Sequence, residues 1–141
     1  MKRIFLSLTL ALISLGVFAQ NAPAKAGTQQ YILIVRFRSD FVLPSGDVIA
    51  KNIKAWQDYM GELGKSGKIA GGYRPGNTGE TISGTAQTTK PGPYIANNEL
   101  VSSFLIINAK DMDEARAIAK KCPVFQLGGS VEIRQIQNTT N

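Results

Sequence analysis

The stretch that decides the fold runs from Lys90 to Arg134 and contains KPGPY, SSFLIIN, DMDEARAIAKKCP and GGSVEIR in that order. The second segment is apolar and typical of a buried strand. The third opens with Asp111 and has Glu114 three residues later, a pattern typical of a capped helix, which Pro123 then ends. The Gly-Gly pair predicts a turn before a last strand. The order turn, strand, helix, turn, strand describes half of a mixed helix and strand domain.

A strand and a helix precede this stretch, and their periodicity assigns faces to them. Residues 30–39 alternate as a strand does, with one side apolar and the other becoming polar at Arg36 and Arg38. Residues 47–65 predict a helix. Its predicted inward stripe consists of Ile49, Ile53, Trp56, Met60 and Leu63.

The remaining elements complete the predicted architecture. Residues 69–73 predict a short strand, in which paired glycines indicate a bulge or a close backbone approach. The Thr-rich run 81–89 predicts one polar strand at an edge. Further strands are predicted at 100–108 and 130–136. This order is typical of the α+β class with a ferredoxin-like, split βαβ fold, in which an antiparallel sheet carries two helices on one face and its first and last strands are neighbours.

The N-terminus predicts a cleaved signal peptide. A basic start precedes an apolar run that is shorter than the roughly 20 residues needed to span a bilayer, and Val17-Phe18-Ala19 has the small-x-small pattern of a cleavage site. An uncleaved anchor is the alternative. We expect a secreted or periplasmic protein that is not bound to a membrane after cleavage. The expected divisions are a signal peptide at 1–19, a flexible lead-in at 20–29, one domain at 30–137 and a tail at 138–141.

Composition argues against several classes of function. The net charge of +6 is modest and no basic stripe is interleaved with aromatic residues, so nucleic acid is not an expected partner. The chain has no His, which removes a His base, a His-ligated haem and most zinc sites, so we expect neither a metal nor a cofactor. Cys122 is the single cysteine, so no intramolecular disulfide can form, and a small buried hydrophobe is its expected role.

Three charged residues are predicted to meet on the side of the sheet that faces away from the helices, here called the helix-free face. Arg36, Glu132 and Arg134 share this side if the first and last strands pair. In one interpretation, Glu132 pairs with an arginine and fixes the register of a dimer. In the other, an arginine left without a partner binds a small anion. The face also carries apolar residues that predict packing against a second sheet around a cavity, namely Ile32, Ile34, Phe104, Ile106 and Ile136.

Four other residues are candidates for binding or catalysis. Trp56 lies on the inward helical stripe, where core packing is the simpler role. Tyr73 follows the paired glycines and Tyr94 flanks a turn, so both are candidates for lining a pocket. Glu99 stands before the buried strand and, like Glu132, is a candidate general base.

The segments PGPY, SFLII, DMDEA and GGSVEIR, with WQDYMGELGKSGKIAGG upstream, resemble the YCII-related family, also called the DGPF family. The resemblance covers nearly all of residues 31–136 and implies a dimeric α/β barrel of ferredoxin-like domains. It also implies a His and Asp site in some members. This chain has no His, and Pro91 and Tyr94 replace the Asp and Phe of the signature. The matching positions are Gly92, Pro93, Glu99, Glu132 and Arg134.

Taken with the residues themselves, the resemblance predicts a homodimer that binds a small ligand, with an anion as one candidate, in the cavity between two sheets. The missing His and signature Asp favour binding over catalysis. Two alternatives stay open. One is a cofactor-independent lyase, isomerase or oxygenase with a carboxylate base and Arg36 or Arg134 holding the substrate. The other is a structural dimerisation module of the cell envelope.

Overall fold

The computed structural model describes residues 27–137. The predicted signal peptide, the first part of the lead-in and the predicted tail lie outside the described residues. The elements follow one another as β1 (Gln29–Arg38), α1 (Gly46–Lys65), β2 (Ile69–Tyr73), β3 (Glu80–Ser83), β4 (Thr88–Pro91), β5 (Glu99–Ala109), α2 (Met112–Ala119), a 3₁₀ helix (Pro123–Leu127) and β6 (Ser130–Gln135). Neither α1 nor α2 is both long and apolar enough to cross a membrane.

Four of these strands form one antiparallel sheet in the order β2-β5-β1-β6. The first strand therefore lies in the interior of the sheet and pairs with both β5 and the last strand, β6. This strand order, with a helix after β1 and a helix after β5, confirms the predicted ferredoxin-like α+β fold.

One face of the sheet forms the core together with the two helices. Tyr31, Leu33 and Val35 of β1 are buried beside Leu105 and Ile107 of β5. Each such aliphatic side chain contributes on the order of 1.5–3 kcal/mol when it leaves water. The alternation of β1 is thus the one that its sequence predicts, with the odd-numbered residues under the helices.

The buried stripe of α1 differs from the predicted one. Ile53 is 53% exposed, whereas Asn52 and Tyr59 are buried. Asn52 Nδ2 donates to the carbonyl of Pro123 at 2.9 Å, and the Tyr59 hydroxyl donates to the carbonyl of Ile118 at 3.2 Å. These hydrogen bonds satisfy the two polar groups inside the protein, so the helix can turn a partly polar stripe inward. Leu63 is buried and Trp56 and Met60 pack against the core as predicted, so the stripe is shifted toward Asn52 and Tyr59 and leaves Ile53 outside it.

The Thr-rich run is a hairpin rather than the single strand that its sequence suggested. Strands β3 and β4 pair antiparallel with each other and form a separate two-stranded sheet. Gly84 has a φ of 72° and Gln87 a φ of 51°, so the chain reverses between them through left-handed backbone conformations. The prediction overlooked this glycine as a turn signal.

The second half of the chain follows its prediction closely. Asp111 caps α2, and its Oδ1 accepts from the backbone N–H of Glu114 at 2.8 Å. Cys122 is buried behind this helix. The helix α2 ends at Ala119, earlier than the stop at Pro123 that the sequence predicts. Pro123 instead opens the 3₁₀ helix, which the sequence analysis did not predict, and Gly128 (φ 73°) then turns the chain into β6.

Candidate functional site

The helix-free face consists of rows of residues that lie side by side across the sheet. Strand pairing aligns Tyr73, Phe104, Ile34 and Glu132 in one row, one residue from each strand. Because neighbouring strands are about 4.8 Å apart, this row spans roughly 14 Å from edge to edge. The next row aligns Gly71, Ile106, Ile32 and Arg134.

The middle of these rows is an apolar floor formed by Ile32, Ile34, Phe104 and Ile106. All four side chains are half-buried, whereas their neighbours on the other face of β1 and β5 are buried. Both helices of residues 27–137 pack on the opposite face, so no described helix covers the floor. The floor is thus the apolar part of the sheet that the chain leaves in contact with solvent.

The charged cluster predicted from the sequence forms at the β6 edge of the floor. Arg36 Nη2 donates to Glu132 Oε2 at 2.5 Å, and Arg134 Nε donates to Glu132 Oε1. The two guanidinium groups hold the pKa of Glu132 below its ordinary value. One carboxylate faces two guanidiniums, so the cluster retains one positive charge. Arg36 and Glu132 are 24% and 30% exposed, whereas Arg134 is 69% exposed, so Arg134 is the outermost of the three.

A β-bulge and a close backbone contact position Arg36. The pairing of β1 with β5 shifts register between Val35 and Arg36, which leaves Ser102 as the extra residue, and its hydroxyl donates to the Val35 carbonyl at 3.2 Å. On the other side, a Cβ atom on Gly129 would lie 2.6 Å from the Arg36 carbonyl oxygen and 2.2 Å from Val124 Cγ2. A glycine is therefore required where the turn before β6 meets Arg36.

A second polar group lies at the end of the same face. The hydroxyl of Ser130 donates to Glu99 Oε1 at 2.8 Å. Arg38 binds Asp40 through two hydrogen bonds of 2.8 and 2.7 Å, and together with Asn98 it lowers the pKa of Asp40 to about 2. Sequence reasoning missed Ser130, Asp40 and the role of Arg38. The period-2 alternation that placed Arg36 and Glu132 together could have found Arg38 and Ser130.

The two candidate bases differ in their partners. Glu132 has two arginines as hydrogen-bond donors. Glu99 has no ion pair within residues 27–137, and its side-chain partner is the neutral Ser130 hydroxyl. Its position beside a turn predicted a loop, but Glu99 is the first residue of β5. The two arginines lower the pKa of Glu132 and make that carboxylate a poor base, so Glu99 is the candidate base that remains.

The three aromatic candidates lie in different places. Tyr73 is on the helix-free face, where its ring lies over Gly71: a Cβ atom on that glycine would be 3.2 Å from the ring. Tyr94 is 71% exposed and stands two residues before Ala96, which bridges to Glu99. Trp56 packs against the core with an edge-to-face contact to Tyr59, 5.9 Å between ring centroids. Trp56 is therefore on the opposite side of the sheet and does not share a surface with Arg36.

Metal binding and thiol chemistry find little support in this structure. No group of three or more His, Cys, Asp or Glu side chains within residues 27–137 is arranged to hold a metal ion. Burial raises the pKa of the Cys122 thiol to about 11, so the thiol stays protonated and weakly nucleophilic at neutral pH.

The sequence profile of the YCII-related domain matches residues 29–140. The chain belongs to the YCII-related family. The family prediction is thereby confirmed over nearly the whole described domain. Among solved structures, this YCII-related chain is similar to 5-chloro-2-hydroxyhydroquinone dehydrochlorinase from Burkholderia phenoliruptrix AC1100, in complex with 2,5-dihydroxybenzoquinone. The two share 21% identity with a TM-score of 0.40, and the alignment covers 76% of this chain and 93% of that chain. A search of curated proteins found no match.

The signature turn of this YCII-related protein closes the base of the β3–β4 hairpin. The Gly92 N–H donates to the Gly79 carbonyl at 2.7 Å, and the Thr81 hydroxyl donates to the Gly92 carbonyl at 3.1 Å. Gly92 has a φ of 95°, which suits a glycine. Pro91, in the place of the signature Asp, ends β4 and is exposed. The residue at this position therefore contributes no carboxylate.

The paired state of Glu132 predicts a pH-dependent loss of stability. Because its folded-state pKa lies below its unfolded value of about 4.3, the pairing stabilises the fold above that pH and this contribution disappears as pH falls through the folded-state pKa. We expect Glu132→Gln to be less stable than wild type at pH 7 in urea unfolding, with a difference that shrinks as the pH falls below about 4.3. Asp58→Asn, which breaks an exposed pair within α1, is the matched control and should change stability little. A Glu132→Gln effect that is the same at all pH values would contradict the assignment.

Proposed function

We propose that this YCII-related protein forms a homodimer in which two helix-free faces oppose each other and enclose a cavity for a small ligand. The apolar floor supports the dimer, because a half-exposed patch of Ile and Phe side chains in the middle of a sheet favours association. A two-fold axis would pair the same surface on both copies, so one patch is enough for a closed dimer. Export of the protein, which the N-terminal sequence indicates, is part of the proposal.

The observation that carries the ligand proposal is the asymmetry of this face. An apolar floor is bounded by Tyr73 at the β2 edge and by Arg36, Glu132 and Arg134 at the β6 edge. Pockets of this kind bind through apolar contact and use a few polar groups for orientation. A flat, mainly apolar molecule with one acidic group, up to roughly 14 Å long, would match both parts.

Arg134 is the proposed anchor for the acidic group. Within residues 27–137, its guanidinium bonds Glu132 through Nε alone, so its two Nη groups are available to a ligand. A guanidinium can bind a carboxylate through two parallel hydrogen bonds. Glu132 would hold the guanidinium in place rather than neutralise the site, since it already faces Arg36 as well. This arrangement combines both interpretations of the cluster: the ion pairs are structural, and one positive charge remains.

A second candidate function is catalysis with Glu99 as general base. The favouring observation is the neutral hydrogen bond that Glu99 receives from Ser130, in contrast to the doubly paired Glu132. In a lyase or isomerase of this type, Arg134 would hold the substrate while Glu99 removes a proton. Glu99→Gln would then preserve ligand affinity and abolish turnover. In a pure binding protein, neither the wild type nor the variant would convert the ligand into a product.

The export proposal predicts a defined mature N-terminus. If Val17-Phe18-Ala19 is a cleavage site, the protein recovered from the periplasm or medium begins at Gln20 in N-terminal sequencing. Ala19→Arg should block cleavage, because signal peptidase requires a small residue at this position. Protein that retains Met1 and stays inside the cell would contradict export.

The ligand proposal predicts a specific loss of affinity. In a thermal-shift screen of small aromatic carboxylates, hits should raise the melting temperature of the wild type. Arg134→Ala and Arg36→Ala should each weaken binding of these hits about ten- to a hundredfold, because a hydrogen bond to a charged group contributes about 1.5–3 kcal/mol.

The matched control is Arg116→Ala, which removes an exposed arginine from α2 on the far side of the sheet and should leave affinity unchanged. Hits that bind equally well to all three variants would show that the cluster is not the anchor. A stable dimer that binds none of the compounds would favour a structural dimerisation module.

A further inference from the structure

The β3–β4 hairpin, together with the residues that close it at 79–92, is here called the hairpin arm, and it packs on no other element of residues 27–137. From Gly72 to Asn98 every residue is exposed except Thr81 and Gly92, which are half-buried. The arm includes Ile82, which is 65% exposed. The strands of the arm pair with each other and not with the main sheet.

A two-stranded hairpin is marginally stable in water by itself. The hydrogen bonds that hold this arm are internal: Gln87 N donates to the Gly84 carbonyl, and the Gly79 and Gly92 bonds close its base. An arm of this kind gains stability when its apolar side packs on another surface. That side carries Ile82 with Thr89 directly opposite it in the pairing, and further along Pro91 with Glu80 opposite it.

Within residues 27–137, the apolar floor of the helix-free face is a surface that fits the arm. Ile82 is exposed and the side chains of the floor are only half-buried. The arm therefore does not cover the floor of its own chain. Each strand of the arm has four residues and is about 13 Å long, close to the roughly 14 Å that one row spans across the helix-free face. The arm also leaves the sheet shortly after Tyr73, which lies on the helix-free face itself.

A second copy of the same chain can cover both the hairpin arm and the apolar floor. Each copy carries one uncovered arm and one uncovered floor. A two-fold pair would therefore bury two arms and two floors, and no arm or floor would stay uncovered. We propose that the hairpin arm of each subunit lies across the helix-free face of its partner and closes the partner's ligand cavity. This inference rests on the proposed dimer and adds that each cavity is built from two chains.

Site-specific photo-cross-linking tests the exchange of arms. The photoreactive residue p-benzoylphenylalanine replaces Ile82, an exposed position at which a larger side chain should not disturb folding. The same residue at Gln57, exposed on α1, is the control. Light scattering first establishes the oligomeric state of each variant. We expect irradiation to give covalent dimers at position 82 and at least tenfold fewer at position 57, with the cross-linked peptides mapping to β1 or β5.

The outcomes separate this inference from the dimer on which it rests. A protein that is monomeric in solution overturns both. An intact dimer in which position 82 yields no covalent dimer, or in which its cross-links map to α1 or α2, overturns the exchange of arms and leaves the proposed dimer in place. A mixture of chains with and without ¹⁵N labelling shows whether a mapped cross-link joins two subunits, and mixed-isotope pairs are expected.

Discussion

The pairing of β1 with both of its neighbours is the constraint on which the rest of the structure depends. Interior strands have no freedom to shift, because a slip of one residue would move Tyr31, Leu33 and Val35 out of the core and Arg36 into it. Such a slip would expose apolar side chains and bury a charge without its partner. The position of every group on the helix-free face follows from this register, since Glu132 and Phe104 are placed by pairing with Ile34.

The helix-free face combines two requirements that are hard to satisfy in one isolated domain. Its centre is apolar and would gain from burial, while its β6 edge carries three charges that would lose hydration if they were buried without a partner. The cluster meets the second requirement by placing one carboxylate, Glu132, between Arg36 and Arg134. In the proposed dimer, the remaining positive charge would favour an apolar ligand with one acidic group in the cavity between two such faces.

The elements and the charged cluster could be predicted because they depend on strand alternation. Period-2 patterning in β1 and β6 was enough to bring Arg36 and Glu132 together, since the first and last strands of this fold are neighbours. Other features depend on contacts between distant segments and leave no periodic signal. The inward turn of Asn52 requires the carbonyl of Pro123, which lies in a 3₁₀ helix that the sequence did not reveal. Trp56 looked like a possible pocket residue until the structure placed it behind the sheet.

The measurement that tests the central claim most directly is the mass in solution of the mature chain and of two variants that add one charge. Ile34→Lys puts a charge in the middle of the apolar floor, and Ile53→Lys puts the same charge on the exposed flank of α1. With folding checked by circular dichroism, light scattering at tens of micromolar protein should show a dimer for the wild type and for Ile53→Lys, and a folded monomer for Ile34→Lys. A monomeric wild type, or an Ile34→Lys variant that remains dimeric, would contradict association through the helix-free face.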